Sequence, residues 1–218
     1  MIAQPLWALV PLRGGAGKKR LSGMLDAEQR RDLVAAMADD VLRALCAVPG
    51  IHGVAVTTSD PALAALARSH GAQVIPDTGT DGLNAALEQA ARRLIGQGAR
   101  SLLVMHGDLP QATPAAIGKL LEAHEGGVTV ARADQDGGSN ALLLTPPDAI
   151  VFLFGPDSCA VHLAAAEDAG ISASALVIPG LSDDIDEEQD LRRLAGSAGT
   201  GEASRLLQRL GLFVQDSQ

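Results

Sequence analysis

The strongest constraint on the fold is the alternation of short apolar runs with longer segments of helical period. The first run, residues 6–12, is nearly continuously apolar, which is typical of a strand buried on both faces. By the same criterion, strands are predicted at residues 6–12, 54–58, 73–75, 101–105, 128–131, 141–144 and 177–178. The alternation predicts an α/β protein with a mostly parallel sheet that helices cover on both faces.

Between these runs, local start signals mark the helices. Asp26 with Gln29 forms a capping-box pattern, and Asp60 before Pro61 combines an N-cap with a first-turn proline. Helices are predicted at residues 27–47, 61–69, 83–97, 113–124, 159–169 and 203–210. No repeat or Pro/Ser-rich linker interrupts the pattern, so we expect a single domain over residues 1–218.

The composition excludes several classes of partner. Aromatic residues make up only 2% of the chain and the net charge is −9, so a nucleic acid would meet repulsion and few stacking platforms. No apolar run reaches the roughly 20 residues that span a bilayer, and the N-terminus lacks the pattern of a secretory signal. We therefore expect a cytoplasmic protein without a membrane or nucleic-acid partner.

A basic, glycine-rich loop follows the first predicted strand. Residues 13–20, RGGAGKKR, hold three glycines and four cations. Glycines let backbone N–H groups approach an anion and the cations neutralise it, so the loop indicates a polyphosphate site. It is not a P-loop, because Lys19 stands where that motif requires Ser or Thr. The alternative is a solvated basic turn.

Carboxylates are concentrated at two further places. Asp108 follows the strand predicted at residues 101–105, where ligands bind in sheets of this kind. Residues 183–190 hold six carboxylates, and in an extended segment Asp184 and Asp186 would point to the same side. Like charges so close favour an intervening divalent cation. The alternative is a turn-forming Asp108 and a solvated helix start at Glu187 and Glu188.

Small and hydroxyl residues form a third pattern. Gly137 to Asn140 precede a predicted strand and 154–158, FGPDS, precede a predicted helix, so both could bind a small anion. Ser158 as a simple N-cap is the alternative. Asn84 offers an amide for a base or ribose, and His162 is interpreted as a helix-face residue rather than a metal ligand.

Together these motifs resemble the 2-phospho-L-lactate guanylyltransferase family of coenzyme F(420) biosynthesis, a set of small relatives of the molybdenum-cofactor nucleotidyltransferases. The resemblance runs from about Leu6 to Leu191. It rests on the order and spacing of Arg13 with 17–21 (GKKRL), 57–60 (TTSD), 82–84 (GLN), 107–110 (GDLP), 138–142 (GSNAL), 154–158 (FGPDS) with His162, 179–181 (PGL), 184–186 (DID) and 190–191 (DL).

The resemblance implies a three-layer, Rossmann-like nucleotidyltransferase fold of the GT-A type and a reaction. The phosphate of a small acid would attack the α-phosphorus of GTP, and pyrophosphate would leave. The resemblance also implies a role for each matching residue. The Mg²⁺ ligands would be Asp108, Asp184 and Asp186, the phosphates would be bound by Arg13, Lys18 and Arg20, and the guanine nucleotide site would include Gly82, Leu83 and Asn84. The acid would be held by Ser139, Gly155 and Ser158, and the catalytic residues would be Lys18, Asp108 and Asp186.

Several alternatives stay open on the sequence. The acceptor could be 2-phospho-L-lactate, phosphoenolpyruvate or 3-phospho-D-glycerate, since each presents a carboxylate and a phosphate, and no residue by itself excludes ATP. A larger acceptor, such as molybdopterin or a sugar phosphate, and a non-catalytic nucleotide-binding protein are the competing functions. The C-terminal apolar residues could pack on the domain or form a homodimer seam; they are Leu206, Leu207, Leu210, Leu212 and Phe213.

Overall fold

The computed structural model describes residues 1–14, 18–77, 82–134, 137–197 and 199–212. Seven strands alternate with helices over these residues. The strands are β1 (Leu6–Pro11), β2 (Ile51–Thr58), β3 (Gln73–Pro76), β4 (Ser101–Met105), β5 (Gly127–Arg132), β6 (Ser139–Thr145) and β7 (Ala173–Leu176). The helices are α1 (Ala27–Cys46), α2 (Pro61–Ser69), α3 (Gly82–Gly96), α4 (Pro114–Glu122), α5 (Ser158–Asp168), α6 (Glu188–Gly196) and α7 (Glu202–Arg209).

The strands form one mostly parallel sheet in the order β3-β2-β1-β4-β6-β5-β7. Of the seven described strands, only β6 runs antiparallel, and it does so to both of its neighbours, β4 and β5. The chain leaves β1 toward β2 and β3 and then returns to place β4 on the other side of β1. Loops that leave β1 and β4 at their carboxyl ends therefore diverge, which opens the crevice where α/β sheets bind ligands.

Buried side chains on the two faces of the sheet form two separate apolar cores. One face packs against α1, α2 and α4, through residues such as Val41, Leu63 and Ile117. The other packs against α3 and α5, through residues such as Leu87 and Ala166. The prediction of an α/β sheet covered on both faces is confirmed.

A third apolar cluster places the C-terminal helix on the body of the protein. Leu206 and Leu207 of α7 are buried against α1 and α6 beside Leu33, and Leu210 and Leu212 pack on the same cluster. Intramolecular packing is therefore the observed role of these four leucines. Phe213 lies outside the described residues.

Two segments differ from the sequence prediction. The last strand is Ala173–Leu176 rather than 177–178, because Ile178 enters a turn in which its N–H donates to Ser182 Oγ and its carbonyl accepts from Leu181 N. No helix is predicted between residues 169 and 203, but α6 begins within the acidic run at Glu188, in agreement with the alternative of a solvated helix start at Glu187 and Glu188. Asp190 caps this helix start by accepting from the N–H groups of Asp186 and Glu187 at 2.9 and 2.7 Å.

A buried carboxylate of α1 caps the start of α7. Asp40 is 7% exposed and accepts from Glu202 N at 2.7 Å and Ala203 N at 3.0 Å. We expect Asp40→Ala to lower the free energy of unfolding by about 1–3 kcal/mol, because two N–H groups at the start of α7 would lose their buried acceptor. Urea denaturation measures this. Asp32→Ala, which removes an exposed carboxylate from the same helix, is the control, and equal losses in both variants would contradict the account.

His124 links the end of α4 to the sheet. Its Nδ1 lies 2.8 Å from Thr129 Oγ1 and its Nε2 lies 2.9 Å from Thr145 Oγ1, and it is 4% exposed. Burial, with a smaller contribution from the N-terminal ammonium, lowers the pKa of His124 to about 4. This pKa is below the ordinary value of a histidine in an unfolded chain, about 6.5.

The lowered pKa of His124 predicts a specific loss of stability in acid. Above pH 6.5 the imidazole is neutral in both states and has no effect. As the pH falls from 6.5 to 4 only the unfolded chain gains the proton, so the free energy of unfolding drops by roughly 1–3 kcal/mol. Denaturation of His124→Gln across this range is expected to show a flatter pH dependence. The exposed His52→Gln is the control, and an unchanged slope in His124→Gln would refute the assignment.

Candidate functional site

Three loops bring one lysine and three carboxylates together at the carboxyl ends of β1 and β4. Lys18 comes from the loop after β1, and Asp108 follows β4. Asp184 and Asp186 lie in the segment before α6. The backbone fixes this segment, since Ile185 N donates to the carbonyl of Asp108 at 3.2 Å. The structure thus brings together residues that are up to 168 positions apart in the sequence.

Lys18 is the centre of this group. Its Nζ donates to Asp108 Oδ2 and to Asp186 Oδ1, both at 2.6 Å, and its side chain is only 9% exposed. The residue has a φ of 58°, in the left-handed region, which costs a non-glycine residue about 1–2 kcal/mol. From this backbone conformation the ammonium group reaches both carboxylates.

The charges shift the pKa values of the group in different directions. Burial opposes the charged form of Asp108, but the Lys18 ammonium and His106 outweigh it and hold the pKa of Asp108 below its ordinary value. For Lys18, burial is likewise outweighed, here by Asp108 and Asp186, and its pKa is raised. Burial, together with the charges of Asp108 and Asp186, raises the pKa of Asp184 to about 6. Asp184 is thus the carboxylate with the least charge compensation.

The donor set fits a divalent cation. One oxygen each from Asp108, Asp184 and Asp186 lies within 4.8 Å of the other two. Two oxygens on opposite sides of Mg²⁺ lie about 4.2 Å apart, so a small movement would place all three on one ion. Asp108 Oδ1 is buried and has no hydrogen-bond partner among the described residues. Three carboxylates and one ammonium leave two negative charges, which such a cation would balance.

A cavity of about 240 Å³ opens beside this group. Five of the residues predicted for the site line it, namely Arg13, Lys18, Leu83, Asp108 and Asp186. Arg20 lies apart from that lining, 70% exposed, and its Nη1 donates to Glu187 Oε1 at 3.2 Å. Arg20 is therefore tied to the acidic segment beside Asp186. Residues 15–17 of the glycine-rich loop and residues 78–81 before α3 lie outside the described residues.

Asn84 connects the start of α3 to the loop before α5. Its Nδ2 donates to the carbonyl of Phe154 at 3.1 Å, and its Oδ1 accepts from Phe154 N at 2.9 Å. This two-point contact fixes the backbone next to Gly155. Gly82, the first residue of α3, has a φ of 88°, which favours glycine at the turn into the helix.

The predicted acid-binding residues Ser139 and Ser158 also meet. Ser139 N donates to Ser158 Oγ at 2.9 Å, and both residues are almost fully buried. Asp157, not Ser158, is the N-cap residue of α5, so the alternative of a simple serine cap is wrong. The neighbouring Asn140 reaches the carboxylate group, with its Nδ2 3.5 Å from Asp184 Oδ1.

Sequence reasoning missed two residues that shape the site. Asn140 was grouped with its neighbours without a role, although it links them to Asp184. Asp60 was identified only as the cap of α2, whereas its Oδ2 lies 1.7 Å from the position a Cβ on Gly14 would take. Gly14 is thus required by the close approach of the basic loop to α2. The run 57–60 at the end of β2 is the available sequence signal for this contact.

Among the described residues, none of the helices combines the length and the apolar character that crossing a membrane would require.

Solved structures with the same architecture include nucleotidyltransferases. A nucleotidyl transferase from Methanothermobacter aligns with a TM-score of 0.68 at 17% identity and covers 95% of this chain and 100% of that one. A 4-diphosphocytidyl-2C-methyl-D-erythritol synthase from Anaerococcus prevotii aligns with a TM-score of 0.60 at 11% identity, covering 94% and 96%. At such identities the likeness shows the fold, which agrees with the three-layer nucleotidyltransferase expectation.

Sequence relatives and a family model are more specific. The phosphoenolpyruvate guanylyltransferase of Rubrobacter xylanophilus is 41% identical over 197 residues, covering 89% of this chain and 95% of the relative. That of Chloroflexus aggregans is 36% identical over 181 residues, covering 81% and 89%. The family model described as guanylyl transferase CofC like matches residues 6–218. With nearly its whole length matched, the chain belongs to this guanylyl transferase family and is a nucleotidyltransferase enzyme.

Proposed function

We propose that this enzyme transfers the guanylyl group of GTP to the phosphate of a small phosphorylated acid. The observation that carries the proposal is the group of three carboxylates around Lys18, beside a cavity at the carboxyl ends of β1 and β4. Relatives named phosphoenolpyruvate guanylyltransferase favour phosphoenolpyruvate over the two other acids as the acceptor. We further propose a single domain over residues 1–218 that acts in the cytoplasm in coenzyme F(420) biosynthesis.

In this reaction a phosphate oxygen of the acid attacks the α-phosphorus of GTP. A new phosphorus–oxygen bond forms, the bond to the β-phosphate oxygen breaks, and pyrophosphate leaves with the electron pair. Such a transfer needs little covalent chemistry from the protein, so catalysis comes from in-line positioning and charge neutralisation.

Three groups of residues would bind the two substrates. Arg13, Lys18 and Arg20 would bind the triphosphate. Gly82, Leu83 and Asn84 would border the nucleotide, with Leu83 already on the cavity wall. Ser139, Gly155 and Ser158 would hold the carboxylate and phosphate of the acid, since two serine hydroxyls and the N-terminus of α5 are suited to an anion.

Asp108, Asp184 and Asp186 would hold Mg²⁺. When bound, the ion supplies Lewis-acid polarisation of the α-phosphate and neutralises charge on the leaving group. Lys18 supplies a fixed positive charge next to the same carboxylates. Its two 2.6 Å contacts hold Asp108 and Asp186 together, although these two residues are far apart in the sequence.

A pyrophosphate-release assay tests this function. The protein is incubated with GTP and Mg²⁺ and, separately, with phosphoenolpyruvate, 2-phospho-L-lactate or 3-phospho-D-glycerate. We expect release with phosphoenolpyruvate and little with ATP in place of GTP. Release with another of the acids would change the acceptor and keep the reaction. If no pyrophosphate is released with any of the three acids while GTP binding is detected, the small-acid function is refuted and a larger acceptor is favoured.

A further inference from the structure

His162 lies beneath the proposed acid-binding serines and has not been given a role so far. It is on α5 and is fully buried, at 0% exposure. Its Nδ1 lies 2.9 Å from Ser139 Oγ, and its Nε2 lies 3.1 Å from the backbone N of Leu153. One ring nitrogen therefore contacts Ser139, and the other contacts Leu153 at the start of the loop that leads to Gly155 and Ser158.

The contact with Leu153 determines where the imidazole proton lies. A backbone N–H can only donate, so Nε2 must be the unprotonated acceptor. In a neutral ring the single proton is then on Nδ1. Burial, with a smaller contribution from the charge of His106, lowers the pKa of His162 to about 4, which keeps the ring neutral at physiological pH.

This tautomer decides what Ser139 can offer to a ligand. Because Nδ1–H donates, Ser139 Oγ accepts, and its own O–H proton stays available. Ser158 Oγ is in the same position, since it accepts from Ser139 N. Among the described residues, the structure gives neither hydroxyl proton an acceptor. With the opposite tautomer Ser139 would turn its proton to the ring and face an anion with lone pairs.

The loop that fixes the tautomer is itself held in place. Asn84 binds both backbone groups of Phe154, the residue after Leu153. The Phe154 ring packs against His162 at 4.9 Å between centroids and against His106 at 5.0 Å. His162 is therefore confined from two sides, and ring rotation would break the contact with Leu153.

We propose that His162 is a positioning residue for the acceptor: by donating from Nδ1 to Ser139 Oγ, it makes the Ser139 hydroxyl a hydrogen-bond donor toward the anionic acid. The proposal rests on the proposed function of this site. His162 itself does not touch the acid, and it acts only through Ser139. It should therefore influence the KM for the acid and leave the KM for GTP and kcat nearly unchanged.

Kinetics of paired variants test this role. His162→Asn can still donate from its amide to Ser139, whereas His162→Gln can accept from Leu153 but has its amide too far along the side chain to serve Ser139. We expect His162→Gln to raise the KM for the acid by about tenfold, the effect of one lost hydrogen bond to a charged group. His162→Asn is expected to stay within about threefold of the wild type.

A double-mutant cycle shows whether His162 acts through Ser139. In a Ser139→Ala background, His162→Gln is expected to cause no further rise in the KM for the acid. Additive effects, or equal rises in the KM for GTP and for the acid, would overturn the inference while leaving the proposed function intact. Failure of the wild-type protein to use any of the three acids would overturn both.

A measurement on the wild-type protein does not depend on whether the variants fold. Nitrogen-15 NMR of the labelled imidazole, assigned through the backbone of α5, reports which ring nitrogen carries the proton. We expect a protonated Nδ1 and an unprotonated Nε2 at pH 7.5, with and without phosphoenolpyruvate. A protonated Nε2, or a charged ring, would overturn the inference.

Discussion

Asp108→Asn is expected to lower kcat/KM for guanylyl transfer by about a thousandfold. Each carboxylate oxygen of Asp108 has its own partner: Oδ2 accepts from Lys18, and the buried Oδ1 is available for the metal ion. An asparagine has the same shape but removes the charge and places an N–H₂ group beside the cation. Loss of one metal ligand amounts to several kcal/mol of transition-state stabilisation, and each 1.36 kcal/mol is a factor of ten.

Asp183→Asn is the matched control for this variant. It removes the same charge from the same acidic run, but Asp183 is not among the three clustered carboxylates. Mn²⁺ binding, followed by electron paramagnetic resonance without nucleotide, should weaken in Asp108→Asn and not in Asp183→Asn. If Asp108→Asn retained more than a tenth of the wild-type kcat/KM, Asp108 would not be a metal ligand in the reaction.

Lys18→Met is expected to destabilise the metal-free protein by about 2–4 kcal/mol. Lys18 is 9% exposed and neutralises Asp108 and Asp186, so its removal leaves three clustered carboxylates without a counter-charge. The repulsion among them should raise the pKa of Asp184 further. Mg²⁺ is expected to recover part of the lost stability, because it would neutralise the same oxygens. Activity should fall by roughly a hundredfold, since the fixed charge at the phosphates is lost.

Thermal and urea denaturation measure the stability of the metal-free protein in EDTA and of the protein with Mg²⁺. Lys19→Met is the control, because the adjacent Lys19 is exposed and carries the same charge. We expect the free energies of unfolding of the two variants to differ more in EDTA than in Mg²⁺. Equal stability of Lys18→Met and Lys19→Met in EDTA would show that the contacts of Lys18 with the carboxylates do not stabilise the fold.

The sequence predicts the sheet well because the signal for it is local. Strands buried on both faces are nearly continuous apolar runs, and six of the seven lie where such runs occur. The edge strand β7 is mostly exposed and contains small residues, so its apolar signal is weak and the apolar pattern predicts a strand at the neighbouring residues 177–178 instead. Helix α6 is not among the helices that the apolar pattern predicts, because its first turn consists of acids that are equally frequent in solvated loops; only the alternative of a helix start at Glu187 and Glu188 indicates it.

The sequence identifies residues that the structure brings together, but it does not indicate the contacts between them. Motif spacing identified Lys18, Asp108 and Asp186, which the structure brings into direct contact. Lys18 makes these contacts from a left-handed backbone, a conformation that sequence patterns do not indicate for a lysine. Likewise, the pairing of Asn84 with Phe154 joins residues 70 positions apart, which no local rule could predict.

The most direct test of the account follows the label of GTP through the reaction. Purified protein is incubated with Mg²⁺, phosphoenolpyruvate and GTP labelled with ³²P at either the α or the γ position. We expect the α label to enter a phosphatase-resistant product in which the guanylyl group is joined to the phosphate of the acid, and the γ label to leave as pyrophosphate. Release of the α label as GMP, or transfer of the γ label to the acid, would contradict guanylyl transfer at this site.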